Sequence, residues 1–375
     1  MPERRGGETS MKTLKILHAA DLHLDSAFEA LPARKAARRR SEQRELLLAL
    51  AALAERESVD LVLLPGDLFD GENTYYETGE ALEKMLDAIR VPVFIAPGNH
   101  DFYSDNSPYT RLKERENVHI FKDSSIRCVR LEKQGVRVFG GAFTDKNVGP
   151  ELNALHADRE EGLWNVLCAH AQVGFDPVDE NALAASGMDY AALGHIHKPS
   201  GLRKSGDTWY SWPGCPEGRG FDETGDRFVN VITLSDGGCD IRPCCVQKRR
   251  YQILTVDVTD TDPLIAVHSA LAADTAGDIY RILLTGEVDS PLNMDRLENN
   301  LRELFFELQL RDNTRLRRSV WDKAGEDTLR GLFLKKLREQ YDAADEAGKL
   351  TVEQAARWGI AALDNMEEVI SHDDP

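Results

Sequence analysis

The chain has 375 residues, of which 42% are hydrophobic, and its formal net charge is −18. This length and apolar content allow one large core with one or two accessory modules. No apolar run reaches the roughly 18 residues that span a bilayer, and no signal peptide is recognisable, so we expect a cytoplasmic protein without membrane contact. The six cysteines form no C-x-x-C pair, which favours reduced thiols over a disulfide framework.

Five polar segments in the first half of the chain each follow a short apolar run that predicts a strand. The runs are residues 14–20, 60–65, 91–96, 166–169 and 191–193. The segments are Asp21-Leu22-His23, Gly66-Asp67, Gly98-Asn99-His100-Asp101, His170 and Gly194-His195-Ile196-His197. Because ligands of open α/β sheets bind beyond the carboxyl ends of the strands, these side chains are expected to converge.

Carboxylate, amide and imidazole groups without a thiolate suit divalent manganese, iron or zinc. Seven ligands are too many for one ion, and they fit two ions roughly 3.5–4 Å apart that share a carboxylate. We predict Asp67 as the bridge, with Asp21, His23, Asp67 and His197 on one ion and Asp67, Asn99, His170 and His195 on the other. Taken singly, Gly-Asp is an ordinary turn dipeptide and His170 a core histidine, so the joint occurrence carries the interpretation.

This arrangement predicts phosphoester hydrolysis, in which a hydroxide activated by two metals attacks phosphorus. The leaving oxygen then needs a proton or a positive neighbour. We assign that role to His100, which adjoins a predicted ligand, and we assign Asp101 to fixing the tautomer of His100.

The segments DLHLDSAF, PGDLFD, PGNHD, CAHAQ and LGHIHKP resemble the five motifs of the calcineurin-like metallophosphoesterases. More narrowly, they resemble the DNA-repair exonuclease branch of the SbcD and YhaO type. The similarity covers roughly residues 12–250. It implies an α/β fold with a four-layer α/β/β/α sandwich, manganese as the preferred ion, and cleavage of DNA phosphodiesters by the positions already named.

Two positions depart from the SbcD pattern, in which a Trp usually stands at Leu22 and a Gly at Asp25. The motif DLHLDS is closer to the sequence of the YhaO-like subgroup. Protein phosphatases of this superfamily carry an arginine in the loop after the bridging aspartate, whereas this chain reads Leu68-Phe69-Asp70-Gly71. That difference argues against phosphoprotein substrates.

Nucleic-acid binding requires positive charge, which this acidic chain offers in two runs. The first contains Arg34, Lys35, Arg38, Arg39, Arg40 and Arg44, and the second contains Lys248, Arg249 and Arg250. The first run is either a DNA contact or the solvated face of a helix. Arg219, in a loop rich in glycine and proline, is a candidate for contact with a substrate phosphate.

The pattern after residue 250 predicts three further parts of the architecture. Residues 251–320 read as a small α/β cap domain, with helices at 264–271 and 294–306 and strands at 279–285 and 308–310. Residues 321–375 read as a helical C-terminal segment with two apolar stripes and a capping box at Thr351. Residues 1–11 read as a disordered extension that precedes a metallophosphoesterase domain at 12–250.

The hypothesis is a manganese-dependent DNA phosphodiesterase, a 3′–5′ exonuclease in DNA repair that acts with an SbcC-like coiled-coil ATPase. A homodimer would bring two active sites to one DNA molecule. One alternative is a hydrolase of cyclic nucleotides or other small phosphodiesters. Another is a non-catalytic scaffold for an ATPase, against which the intact ligand set argues.

Overall fold

A computed structural model describes residues 12–173, 178–317 and 319–370, without the side chains of 364–370. The predicted N-terminal extension lies outside the described residues. The α-helices are α1 Ala33–Arg56, α2 Tyr76–Ala88, α3 Glu180–Ala185, α4 Pro263–Ala270, α5 Met294–Leu301, α6 Leu329–Ala343 and α7 Glu346–Ile370. The first nine strands are β1 Leu14–His18, β2 Leu61–Leu64, β3 Val93–Ile95, β4 Val118–Ile120, β5 Arg127–Leu131, β6 Val136–Gly140, β7 Trp164–His170, β8 Tyr190–Gly194 and β9 Arg203–Ser205. The others are β10 Thr208–Ser211, β11 Val229–Ser235, β12 Gly238–Cys244, β13 Tyr251–Asp257, β14 Ile279–Thr285, β15 Glu287–Val288, β16 Glu307–Asp312 and β17 Arg315–Leu316.

Two six-stranded sheets form the core, in the orders β12-β11-β1-β2-β3-β4 and β5-β6-β7-β8-β10-β9. Strands β1 to β4 run parallel, as do β6, β7, β8 and β10. All five predicted strands are confirmed, but they belong to different sheets, with β1, β2 and β3 in the first and β7 and β8 in the second. The metal-ligand segments therefore follow strands of both sheets.

The two sheets pack face to face and helices cover their outer faces. Ile16 and Leu63 of the first sheet share a buried cluster with Val138 and Val166 of the second. Helices α1 and α2 cover the other face of the first sheet, and α3 covers that of the second. Because each central strand is buried on both faces, its sequence is continuously apolar and does not alternate. The predicted four-layer α/β/β/α sandwich is confirmed.

Helix α1 carries the whole of the first basic run, and most of its cations form ion pairs. Its buried stripe includes Leu46, Leu50 and Leu53. Arg39, fully buried, bonds Glu42 at 3.0 Å and Glu217 at 2.6 Å. The remaining pairs are Lys35 with Glu307, Arg38 with Glu42 and Arg44 with Asp25. Four of the six cations are therefore paired within the protein, and a DNA contact of this run stays a prediction.

By contact density the chain divides into two compact units, and the predicted boundaries at 250 and 320 stay a prediction. The first unit is Met1–Leu254, Leu271–Ile282 and Glu298–Leu310, and the second is Thr255–Ala270, Leu283–Leu297 and Arg311–Pro375. Strands β13, β14 and β16 form a three-stranded sheet in the order β13-β14-β16. The helices and strands predicted between 264 and 310 are confirmed, except that α5 ends at Leu301 and a 3-10 turn follows it.

Within the second unit, α6 and α7 pack against each other around Trp321, Leu334 and Ala356. Both predicted helices are present. The capping box at Thr351 is wrong, because α7 already begins at Glu346, where Asp345 accepts a hydrogen bond from the Gly348 amide. Among the described residues, no helix is long and apolar enough to cross a bilayer.

The buried Arg39 network predicts a large effect on stability. Replacing Arg39 by Met leaves the buried carboxylate of Glu217 without its charged partner, so the free energy of unfolding should fall by about 3–5 kcal/mol. Arg34→Met removes a cation from an exposed position of the same helix and should change stability by less than about 0.5 kcal/mol. Urea denaturation of both variants measures the difference, and equal stability would show that the network is dispensable.

Candidate metal centre

All seven predicted metal ligands lie together where the strands of both sheets end. The Nε2 atoms of His23 and His197 are 3.1 Å apart, although the two residues are 174 positions apart in the chain. His170, the last residue of β7, places its Nε2 atom 2.9 Å from Asn99 Oδ1. The convergence expected from the sequence is present, and it spans two sheets.

The ligand atoms fall into two groups. Those of Asp21, His23, Asp67 and His197 lie within 4.8 Å of one another. In the second group, His195 Nδ1 is 3.3 Å from Asn99 Oδ1 and 3.2 Å from His170 Nε2.

Asp67 Oδ2 belongs to both groups, because it lies 3.6 Å from His23 Nε2 and 3.3 Å from His170 Nε2. These two groups match the partition predicted for two ions. The ligand roles themselves stay a prediction.

Several of these residues hold a backbone conformation that non-glycine residues rarely adopt. The φ angles are 53° at Asp21, 42° at His23, 49° at Asp67 and 98° at His195. Such conformations cost of order 1–3 kcal/mol each and persist when the surrounding structure imposes them. Gly98 shows how tight this region is, because a Cβ there would come within 2.2 Å of Asp67 Oδ1.

Asp101 ties two ligand loops together. Its buried carboxylate accepts hydrogen bonds from the amides of Leu68 (2.7 Å), Phe69 (3.1 Å) and Gly98 (2.7 Å), and from the hydroxyl of Tyr109. Burial, together with the charge of Asp67, raises the pKa of Asp101 to about 6.

The role predicted for Asp101 is therefore corrected. Both of its oxygens are occupied by the loops after β2 and β3, and it orders the backbone that carries Asp67 and Asn99. The carboxylate grouped with His100 is Asp70, which together with His23 forms a second cluster of possible ligand atoms within 4.8 Å.

The electrostatics of the cluster favour a positive charge. Burial raises the pKa of Asp21 to about 6, and Asp21 Oδ2 is a buried oxygen without a hydrogen-bond partner. Burial opposes a charge on His170, but Asp67 and Asp21 outweigh it and raise its pKa to about 9. A proton on His170 thus supplies the charge that these acceptors require. A divalent cation would supply the same charge and satisfy the free oxygen, so the residues fit a metal centre.

Two carboxylates that sequence reasoning missed hold the histidines of the first group. Asp70 Oδ1 lies 2.9 Å from His23 Nδ1, and Glu223 Oε1 lies 2.8 Å from His197 Nδ1. Such partners fix a histidine so that its Nε2 lone pair faces the metal. Asp70 was within reach of sequence reasoning, three residues after Asp67, whereas nothing in the sequence links Glu223 to His197.

Arg219 forms hydrogen bonds with the same two carboxylates. Its guanidinium donates to Glu223 at 2.8 Å and to Asp70 at 3.2 Å, and it lies 2.9 Å from His197 Nδ1. Burial alone would raise the pKa of Glu223, but hydrogen bonds from His197 and Arg219 bring it well below its usual range. In the structure, Arg219 contacts the residues that hold the two histidines of the first group. Its contact with a substrate phosphate stays a prediction.

The second basic run is also engaged in ion pairs. Lys248 pairs with Glu45, Arg249 with Glu42, and Arg250 with Asp278. These pairs reduce the positive charge that the run can offer to a phosphate backbone.

The position of Glu223 predicts a specific effect on metal affinity. In Glu223→Ala, Arg219 remains to donate to His197 Nδ1, which favours the tautomer whose Nε2 carries a proton. Manganese affinity should fall about 10–100-fold. Asp222→Ala removes the same charge one residue away at an exposed position and should leave the affinity within about twofold. Calorimetric titration with Mn²⁺ compares the two variants. An equal loss of affinity in both would show that the effect comes from net charge alone.

Comparison with known proteins agrees with this geometry. The family model described as calcineurin-like phosphoesterase matches residues 14–199. The chain is similar to the uncharacterized metallophosphoesterase YhaO of Bacillus subtilis, with 29% identity over 68% of the chain and 65% of the relative. It is also similar to the SbcD component of the nuclease SbcCD from the same organism, with 22% identity over 60% of the chain and 66% of the relative.

A third relative is the DNA double-strand break repair protein Mre11 of Methanopyrus kandleri, with 26% identity over 57% of the chain and 51% of the relative. The chain thus spans less than two thirds of the length of each of these three relatives. All the predicted ligand positions, from Asp21 to His197, lie within the residues that the family model matches. The chain therefore carries a calcineurin-like metallophosphoesterase domain over residues 14–199.

Proposed function

We propose that this chain is a metal-dependent DNA phosphodiesterase that acts as a 3′–5′ exonuclease in DNA repair. The observation that carries the proposal is the pair of ligand groups that share Asp67 Oδ2. Two of the relatives are named as a component of a nuclease and as a DNA double-strand break repair protein, which supports DNA as the substrate.

The proposed ions are two divalent cations, with Mn²⁺ as the expected species. Asp21, His23 and His197 would hold one ion, Asn99, His170 and His195 the other, and Asp67 both. When bound, two such ions lower the pKa of a water nucleophile and neutralise charge that develops on the phosphoryl oxygens. The mixture of oxygen and imidazole donors without a thiolate supports manganese over a structural zinc site.

His100 is the side chain placed to assist the leaving group. Its backbone amide donates to Asp67 Oδ1 at 3.0 Å, which fixes the residue beside the bridging carboxylate. Its ring is exposed and stands edge-on to the His23 ring, with centroids 4.9 Å apart. An imidazole in this position can give a proton to an alkoxide that leaves from the solvent side, and the nearby Asp70 can stabilise its charged form.

The proposal includes a partner ATPase of the coiled-coil type. One relative is named as a subunit of the nuclease SbcCD, which supports a partner. In the second unit, Leu329, Leu332, Leu350 and Trp358 of helices α6 and α7 remain exposed, and exposed apolar side chains are typical of docking surfaces. The homodimer and the cytoplasmic location stay predictions.

The first test is hydrolysis with and without Mn²⁺. Linear duplex DNA labelled at either end should lose nucleotides from its 3′ ends, and bis-p-nitrophenyl phosphate should be cleaved as well. Asp67→Ala removes the shared ligand and serves as the blank. Cleavage of the small ester alone would favour a small phosphodiester as the substrate or a requirement for the ATPase. Cleavage of neither would contradict the proposal.

A second test separates the role of His100 from metal binding. His100→Ala should keep both ions but lower kcat on DNA by roughly 10²–10⁴-fold, because the alkoxide leaves without a proton donor. p-Nitrophenolate needs no proton to leave, so kcat on its ester should fall much less. Elemental analysis of the bound manganese provides the control. Equal losses on both substrates would refute a role in leaving-group protonation.

A further inference from the structure

A groove of about 370 Å³ opens beside the second ligand group. Two members of that group, Asn99 and His195, line it together with Phe143, Lys146, Asn147 and Gln172. Its position therefore places whatever fills it next to the phosphate that would meet the metal centre.

The groove differs in charge from the chain as a whole. The formal net charge of the protein is −18, yet no Asp or Glu is among the described residues that line this groove. Apart from the predicted ligands Asn99 and His195, it offers one ammonium group, two side-chain amides and an aromatic wall. This combination repels a phosphodiester less than a carboxylate-lined groove would, and amides can pair with the polar edges of a nucleobase.

The loop that carries Lys146 is held in a fixed shape. The Thr144 amide donates to Val148 O at 3.0 Å, and the Asn147 amide donates to Asp145 Oδ1 at 3.0 Å. These bonds close a tight turn with Lys146 and Asn147 at its exposed tip. A preformed turn loses little conformational entropy when it binds a ligand.

Phe143 connects the groove to the metal centre. Its ring packs edge-on against the His170 ring, with centroids 5.6 Å apart. Its backbone is anchored on both sides, because its amide donates to Pro97 O at 3.0 Å and its carbonyl accepts from the Tyr103 amide at 2.7 Å. A ligand against Phe143 would therefore have a defined position relative to His170.

From these observations we propose that the groove is a nucleoside subsite. It would hold the nucleoside attached to the scissile phosphate, with Asn147 and Gln172 contacting the base and Lys146 contacting the next phosphate along the strand. This inference rests on the proposed phosphodiesterase function and deepens it. It names the residues by which the protein would recognise a nucleic acid and reject a phosphodiester that has no nucleoside.

The test of the base contact uses paired substrates with Mn²⁺ present. The p-nitrophenyl esters of thymidine 5′-phosphate and thymidine 3′-phosphate are compared with methyl p-nitrophenyl phosphate, whose methyl group cannot fill the groove. The wild-type protein should prefer one thymidine ester in kcat/KM. Gln172→Ala should lower that preference about tenfold, because the base loses a hydrogen bond. Gln134→Ala, which changes the same side chain in the turn before β6, should keep it.

The test of the phosphate contact is the salt dependence of oligothymidylate binding. Lys146→Ala should reduce the slope of log K against log salt by about 0.7, the change expected when a protein makes one phosphate contact fewer with a single strand. Lys133→Ala removes an exposed lysine from the turn after β5 and should leave the slope unchanged. An unchanged slope in Lys146→Ala would overturn the phosphate contact.

Failure of this inference is distinguishable from failure of the proposed function. Cleavage of DNA without preference for a thymidine ester would overturn the subsite and leave the DNA phosphodiesterase intact. A preference for the thymidine ester that Gln172→Ala abolishes, without cleavage of DNA, would support the subsite and favour a small phosphodiester as the substrate or a requirement for the ATPase.

Discussion

The carboxylate of Asp67 is the point on which the two ligand groups depend. One of its oxygens lies between His23, which follows a strand of the first sheet, and His170, which ends a strand of the second. The other oxygen accepts the amide of His100, and Gly98 leaves room for it where any side chain would collide. A shift of this carboxylate would therefore disturb both groups at once. Asp101 opposes such a shift, because it joins the loops after β2 and β3 through three hydrogen bonds from their backbone amides.

The cost of assembling this cluster is offset by contacts around it. Left-handed backbone at Asp21 and Asp67, and buried carboxylates close to each other, are both unfavourable without compensation. Hydrogen bonds from the neighbouring loops supply part of that compensation, and a cation would supply the rest. Asp70 and Glu223, with Arg219 between them, hold the two histidines of the first group from outside. The centre is thus an inner layer of ligands supported by an outer layer of charges.

The distribution of charge also bears on how an acidic chain could bind DNA. Most cations of the two basic runs form ion pairs. Arg39 with Glu217 connects α1 to the segment between β10 and β11, and Arg249 with Glu42 connects α1 to the segment after β12. Affinity for a phosphate backbone would then come from the metal centre and from a few cations near it. In that setting, a groove lined by Lys146 and two amides has a larger influence on substrate choice than its single charge suggests.

The sequence by itself determined the strands, the candidate ligand residues and the chemistry expected of them. Apolar runs that end in Asp, Asn or His are local patterns, and strand formation depends largely on such patterns. The helices and strands after residue 263 followed from the same kind of signal. Only the tertiary structure decided which sheet each strand joins, that Asp101 bonds backbone amides and Tyr109, and that Arg39 is buried. It also placed Glu223 against His197, and four of the six cations of the first basic run against carboxylates. Contacts between residues that are distant in the chain depend on packing, and they leave no periodic pattern in the sequence.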